Sequence, residues 1–376
     1  MSEHEHQNTL ADFSDSQSLS ENLRLIHQLL KQKYPFIARI ALALYDNKTD
    51  MLKTFIYSSD VETPLAQYQA KLSDSPSLVK IYNTRTPRVL NDMSVLNGPN
   101  QHTHVLKAAG YQASYTMPMM IGTALQGFLF FNSDKKNVFT TDVLAELDRM
   151  GSLAILLVNS FKSTFNTLLA TLRSARNMTH SRDPETGMHI ERMARYSRVI
   201  AQGLAKSHKL DDEFIEYLFL FAPLHDIGKL AIPDTILLKP GGLEEDEFET
   251  MKTHTSKGFE MITDILGNYG LGHLQHIEML SNIILYHHEQ VDGKGYPKGL
   301  RQHQIPLESR IVSVADMFDA LTSERPYKSA WSNEEAYAEL ARLIGTKLDS
   351  DCVMALLRNK AEIEAIQKQF LDDGTQ

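Results

Sequence analysis

The stretch that most constrains this chain is Tyr286-His287-His288-Glu289-Gln290-Val291-Asp292-Gly293-Lys294-Gly295-Tyr296-Pro297. An apolar run, Ile283-Ile284-Leu285, ends in two adjacent imidazoles and a carboxylate. Gly293, Gly295 and Pro297 then stop a helix and turn the chain. Adjacent side chains on a helix point roughly 100° apart, from ~3.6 residues per turn. The two rings can therefore approach one metal ion from two directions, or serve two neighbouring ions. A histidine pair alone is a weak sign, and its meaning depends on the rest of the chain.

At 376 residues the chain is long enough for two domains. A hydrophobic content of 42% with 23% charged residues describes an ordinary globular protein with ample core. The net charge of −9 argues against a broad basic face for a nucleic-acid polymer, while leaving room for a small anionic substrate. A single cysteine, Cys352, excludes an internal disulfide framework and fits a reducing compartment. Met1-Ser2-Glu3-His4-Glu5-His6 lacks the basic and apolar regions of a signal peptide. Apolar runs such as Leu153 to Val158 are too short to span a bilayer. The expectation is a cytoplasmic protein with no membrane insertion.

Residues 1–19 read as a polar, disordered tail. Leu23, Ile26, Leu29 and Leu30 recur at helical spacing. Ile37 to Tyr45 and Met51 to Ser58 read as two strands joined by a turn-rich loop, and Ser114 to Met120 with Leu125 to Phe131 as two more. A helix from about Thr141 to Ser160 follows, which makes this half an α+β domain with an antiparallel sheet. From this order, with Lys80 to Asp92 and the Ala124-Leu125-Gln126-Gly127 hairpin in place, residues 20–160 resemble a GAF sensor domain. The resemblance implies a small-molecule ligand or dimerisation, and leaves the sensor ligand unknown. His102 and His104 read as exposed loop histidines beside Gly98-Pro99-Asn100. Leu147, Met150, Leu153, Leu157, Phe161, Phe165, Leu168 and Leu172 form a seam along a connecting helix over 144–172. It could pack on its own domain or pair with a second copy to form a homodimer.

In the second half, Glu185 and His189 share a helix face four residues apart, after Pro184. By themselves they read as a solvated side-chain pair. The apolar segment Phe214 to Leu224 ends in His225-Asp226-Ile227-Gly228-Lys229, and a histidine and an aspartate there are costly unless bonded. Neutral imidazole beside carboxylate is a natural ligand pair for a divalent transition metal. Glu244 to Glu247 read as the acidic first turn of a helix leading to His254. Asp316 falls in an apolar helix with Ile311, Val312 and Val314, with Arg325 and Lys328 close behind it. His180, His208, His273 and His276 read as surface residues.

Together these segments resemble the HD-GYP family of HD-domain metal phosphohydrolases over about residues 174–345, within a domain read as 174–376. The matching motifs run from Asp183 to His189, His225 to Lys229, Ile232 to Asp234, Lys252 to His254, His287 to Glu289 and Asp292 to Pro297. Val314 to Asp316, Asp319 to Thr322 and Arg325 to Lys328 complete the set. Leu348-Asp349-Ser350 stands where the family has Phe-Asp-Pro, which puts the C-terminal packing in question. The fold implied is multidomain: an N-terminal α+β GAF-like domain, a linking helix and a C-terminal all-α HD-type domain.

The resemblance implies metal ligation by His189, His225, Asp226, His254, His287, His288 and Asp316, with Asp226 bridging and Glu185 serving a third ion. Nitrogen and oxygen donors without a thiolate favour two or three divalent ions of iron or manganese. Paired ions (~3.5–4 Å apart) suit phosphoryl transfer. Asp226 and Lys229 then read as catalytic, and Lys229, Arg325, Lys328, Tyr296 and Asp292 as substrate-binding or pocket-shaping. The implied activity is hydrolysis of cyclic di-GMP to pGpG or GMP. The alternatives are a phosphodiesterase for another cyclic dinucleotide such as 3',3'-cyclic GMP-AMP, a non-hydrolysing receptor or adaptor, and a nucleotide phosphohydrolase of the wider HD group.

Overall fold

The computed structural model describes residues 18–60, 68–95, 101–178, 187–268, 276–324 and 329–371. The chain divides into two compact units, Met1–Asn166 and Thr167–Gln376.

The first unit opens on α1 (Leu19–Lys33), where the Ser18 hydroxyl accepts from the Glu21 N–H at 2.9 Å. Helix α1 thus starts within the expected polar tail, of which residues 1–17 lie outside the described set. The strands are β1 (Ile37–Asp46), β2 (Met51–Ser59), β3 (Gln69–Lys71), β4 (Arg88–Leu90), β5 (Ala113–Ile121) and β6 (Ala124–Ser133), with α2 (Pro76–Thr84) and α3 (Gln101–Ala108) inserted. They form one antiparallel sheet in the order β3-β2-β1-β6-β5-β4. Central β1 and β6 bury Ile37, Ile40, Leu42, Phe128, Leu129 and Phe131. The edge strands β3 and β4 are three residues each, too short for period-two alternation to mark them in the sequence. His102 and His104 lie in α3 rather than in a loop, because no helix breaker follows Pro99 before Gly110.

The connecting helix expected over 144–172 is the middle of a single 38-residue helix, α4 (Thr141–Met178), which runs past the end of the first unit. It packs on the sheet through Val143, Leu147, Ala154 and Val158. Gly151 permits the close approach, since a Cβ there would sit 2.5 Å from the Met117 sulfur.

The second unit is helical: α5 (Gly187–His208), α6 (Asp212–Phe221), α7 (Asp234–Leu237), α8 (Glu245–Lys252), α9 (His254–Asn268), α10 (Ile277–Tyr286), α11 (Leu307–Thr322), α12 (Asn333–Arg342), α13 (Ser350–Arg358) and α14 (Lys360–Gln369). Helix α5 is its axis, burying Met193, Tyr196, Ile200 and Leu204 against α6, α11, α13 and α14. Leu348-Asp349-Ser350 keeps a sound helix start. Asp349 caps α13 by accepting from the Asp351 and Cys352 N–H groups, and Arg310 donates to its other oxygen at 2.7 Å. His276 is not a surface residue: it is half-buried, with its ring 4.4 Å from that of Tyr217. His208 is partly exposed beside Asp351; His180 and His273 lie outside the described residues. Among the described residues no helix is long and apolar enough to cross a membrane.

Candidate metal centre

Five separate segments of the second unit converge on one buried spot. His189 comes from the first turn of α5, and His225 and Asp226 from the junction of two 3-10 turns, Ala222–Leu224 and Ile227–Ala231. His254 opens α9, His287 and His288 follow α10, and Asp316 sits on α11. The ligand-type atoms of Asp226, His254, His287 and His288 all lie within 4.8 Å of one another, as do those of His189, His225 and Asp316.

Backbone carbonyls set the protonation of the rings. The Nδ1–H of His225 donates to the Ala222 carbonyl at 2.9 Å, that of His254 to Met251 at 2.8 Å and that of His287 to Ile283 at 2.9 Å. A carbonyl can only accept, so Nδ1 carries the proton and Nε2 presents a lone pair. His189 is held likewise by Asp319, 2.8 Å from its Nδ1. All four Nε2 atoms turn inward. Those of His254 and His287 stand 3.1 and 3.4 Å from Asp226 Oδ1, and that of His225 stands 3.3 Å from Oδ2. The Nε2 atoms of His189 and His225 each lie 3.9 Å from Asp316 Oδ1. Lone pairs facing carboxylate oxygens in a buried cluster repel, and a cation between them reverses the sign. The donor set fits one or more divalent ions, with the two Asp226 oxygens directed at different sets of rings.

The electrostatics agree. Burial works to raise the Asp226 carboxyl, but the Lys229 ammonium beside it outweighs burial and holds the group well below the usual range. Lys229 Nζ touches Asp226 Oδ2 at 2.7 Å. Burial pushes His287 down, and burial with His287 as neighbour pushes His288 down further, so both rings stay neutral and ligand-ready.

The turn after the histidines is packed onto them. The Tyr296 ring lies 4.9 Å from His288 and 6.3 Å from His254, and burial raises its hydroxyl well above the ordinary value. Glu289 accepts from the Lys298 and Leu300 N–H groups at 2.7 and 2.9 Å, closing the loop. Gly295 is required because a Cβ would lie 2.3 Å from the Gln290 nitrogen. The Asp292 carboxylate accepts from the Lys294 N–H at 3.0 Å, and its own N–H donates to the Thr346 carbonyl at 2.9 Å, which ties the turn to a distant loop. Gly228 matters in the same way: a Cβ there would meet the His254 carbonyl oxygen at 1.8 Å, so only glycine lets the turn bearing Asp226 abut α9.

The structure thus brings His189, His225, Asp226, His254, His287, His288, Asp316, Lys229 and Tyr296 together. Glu185, Arg325 and Lys328 lie outside the described residues. Sequence reasoning assigned no role to Asp319, which also accepts from Arg192 at 2.6 and 3.0 Å and from Ser323. Its spacing of three from Asp316 on one helix face was the available signal.

The HD domain family model matches residues 175–352. The chain is 44% identical over 200 residues to the cyclic di-GMP phosphodiesterase response regulator RpfG of Xanthomonas campestris, covering 53% of this chain and 50% of that protein. It is 33% identical over 263 residues to the 3'3'-cGAMP-specific phosphodiesterase 2 of Vibrio cholerae, covering 65% and 48%. The chain spans about half the length of these curated relatives. Among solved structures it is similar to a GAF domain/HD domain protein from Geobacter sulfurreducens, with TM-score 0.32 and 16% identity over 39% of this chain and 95% of that one.

Proposed function

We propose that the second unit is a metal-dependent phosphodiesterase that hydrolyses cyclic di-GMP to pGpG or GMP. The observation that carries this reading is the carboxylate of Asp226, whose two oxygens face different imidazoles whose Nδ1 protons are committed elsewhere. His189, His225 and Asp316 would hold one ion and His254, His287 and His288 a second, with Asp226 shared. Glu185 would serve a third. An all-nitrogen-and-oxygen donor set favours iron or manganese. When bound, such ions activate water and stabilise the attacking and leaving oxygens of a phosphodiester.

The chain's own residues do the rest. Lys229, already against Asp226, stands where its ammonium can also face a phosphate oxygen. Tyr296, neutral across the working pH range, donates its hydroxyl rather than a charge. Arg325 and Lys328 would bind the substrate's outer phosphate, and Asp292 would hold the turn that carries Tyr296. The relatives' names support the substrate class, and a 3'3'-cGAMP enzyme among them keeps that dinucleotide as the second reading. The N-terminal unit would set the activity through α4.

The deciding experiment incubates manganese- or reduced-iron-loaded protein with each dinucleotide and resolves the products by chromatography, beside Asp226→Ala. Linear product from the unmodified protein alone supports the proposal, and the faster substrate names the specificity. No product despite measured metal occupancy would favour a receptor or adaptor that binds the dinucleotide without turnover.

A further inference from the structure

We propose that the N-terminal unit binds a compact anion, the carboxylate or phosphate group of a small metabolite, at Arg88 on one face of its sheet. The face follows from register. His27 of α1 bonds the Ser58 hydroxyl at 2.7 Å, so the neighbouring Tyr57 points to the opposite side. Tyr57, Ala41, Phe130, Thr116 and Arg88 are cross-strand partners in one row, and Ser59, Arg39, Asn132 and Ser114 form the next. Phe130 packs with Leu78 and Ile81 of α2 in one apolar cluster, while Ser59 bonds Tyr111 of a second. A polar strip with Asn132, Ser114 and Thr116 fully buried runs between these anchor points.

The strip carries two guanidinium groups: Arg39, buried with its Nη1 donating to Asn132 Oδ1 at 3.0 Å, and the half-buried Arg88. The Nη1 of Arg88 donates to the Ser77 hydroxyl at 2.6 Å and its Nη2 to the Thr116 hydroxyl at 3.2 Å. Its Nε is enclosed without a hydrogen-bond partner. Among the described residues no carboxylate pairs with it, and the first turn of α2 brings no acid. A guanidinium taken out of water is ordinarily matched by a carboxylate, because hydroxyl dipoles leave its charge uncompensated. Burial pushes it down to about 10, so it is still charged at neutral pH. The guanidinium fork suits a carboxylate or phosphate held bidentately, and the hydroxyl and amide groups around it, with the Arg39 guanidinium in the next row, repel neither. This site and the metal centre are independent, and either can fail without the other.

The test is calorimetric titration of the full-length, metal-loaded protein with inorganic phosphate and with succinate, at ionic strength held constant with chloride. The unmodified protein is compared with Arg88→Met, which keeps the apolar stem, and Arg88→Lys, which keeps the charge without the fork. Phosphate taken up at the metal centre appears in all three, so the difference between them isolates Arg88. We expect binding of one probe that Arg88→Met loses and Arg88→Lys weakens about tenfold or more. Loss of the succinate signal identifies a carboxylate ligand, and loss of the phosphate signal a phosphate ligand. Identical heats in the unmodified protein and in whichever variants fold, or no sensor-unit binding of either probe, would make Arg88 a strut between Ser77 and Thr116 and overturn the proposal.

Discussion

The two units bury polar groups of opposite sign. In the second unit, lone pairs and carboxylates converge, with Asp226 and Asp316 facing four imidazole Nε2 atoms, and Lys229 supplies one cation among them. In the first, the half-buried Arg88 is held by Ser77 and Thr116, with no acid paired to it among the described residues. The same cost of taking charge out of water operates in both places. What differs is the supporting scaffold. Around the candidate metal centre, Ala222, Met251, Ile283 and Asp319 each commit a ring nitrogen, so the remaining acceptors are aimed. Around Arg88 two flexible hydroxyls hold the fork. Tight aiming suits ions of fixed coordination, and looser hydroxyl support suits an anion whose shape is set by the rest of a metabolite.

The contrast is sharpest at Asp226. Asp226→Asn keeps the shape and removes the charge, and we expect turnover of a cyclic dinucleotide to fall below detection with loss of bound metal measured by elemental analysis. Arg88→Met should leave metal content unchanged. If Asp226→Asn retains full metal occupancy, the carboxylate is a structural partner of Lys229 and the contrast collapses. Next in size is Gly228→Ala. Its Cβ would press on backbone at 1.8 Å, which cannot yield as a side chain could. We expect about 3 kcal/mol of destabilisation or more in denaturant unfolding, with activity reduced because α9 carries His254. Gly122→Ala, in the sheet's hairpin, has open space around it and carries only the strain of its positive φ, about 1 kcal/mol.

The candidate metal centre was far more legible in the sequence than the features of the N-terminal unit. His225-Asp226, His287-His288 and Asp316 stand at the ends or middles of apolar runs, where polar residues need a reason, while His189 and His254 carry no such local sign and joined the set only through the family resemblance. The main strands β1, β2, β5 and β6 were readable from local pattern, since each has an apolar face. Arg88 was not, because it lies in a three-residue edge strand and its burial comes from α2 and β5, distant in sequence. Asp319 was visible as a residue but not as a partner of His189, since the bond joins positions 130 residues apart. The length of α4 was underestimated because its C-terminal third carries no apolar break or proline to mark an end.

Asp319→Asn probes how far that aiming matters. Asparagine can present its amide oxygen to the His189 Nδ1–H but leaves the Arg192 guanidinium without a charged partner. Partners of this kind typically change metal affinity by about 10–100-fold, and we expect a loss in that range for an ion that His189, His225 and Asp316 would hold. A competition titration with a chelator measures it. An unchanged affinity would mean that α5 and α11 hold His189 by packing alone.

The smallest effect is on acid stability of the metal-free protein. Burial lowers His287 and, more strongly, His288 in the folded state, while both return to about 6.5 when unfolded. Between these values the unfolded chain binds more protons, so stability rises with pH there. Their contribution is therefore complete above about 6.5 and is lost as pH falls from that value towards the folded values. Urea midpoints of chelated protein at pH 7.5, 6.5 and 5.5 should fall in that order, and metal should abolish much of the slope by holding the rings neutral. Replacing His288 with glutamine should flatten the metal-free slope, whereas Arg88→Met, whose group stays charged throughout this range, should leave it unchanged. A slope that survives His288→Gln undiminished would assign the acid sensitivity to other groups. The half-buried His276, also pushed down chiefly by burial, would be the first to examine.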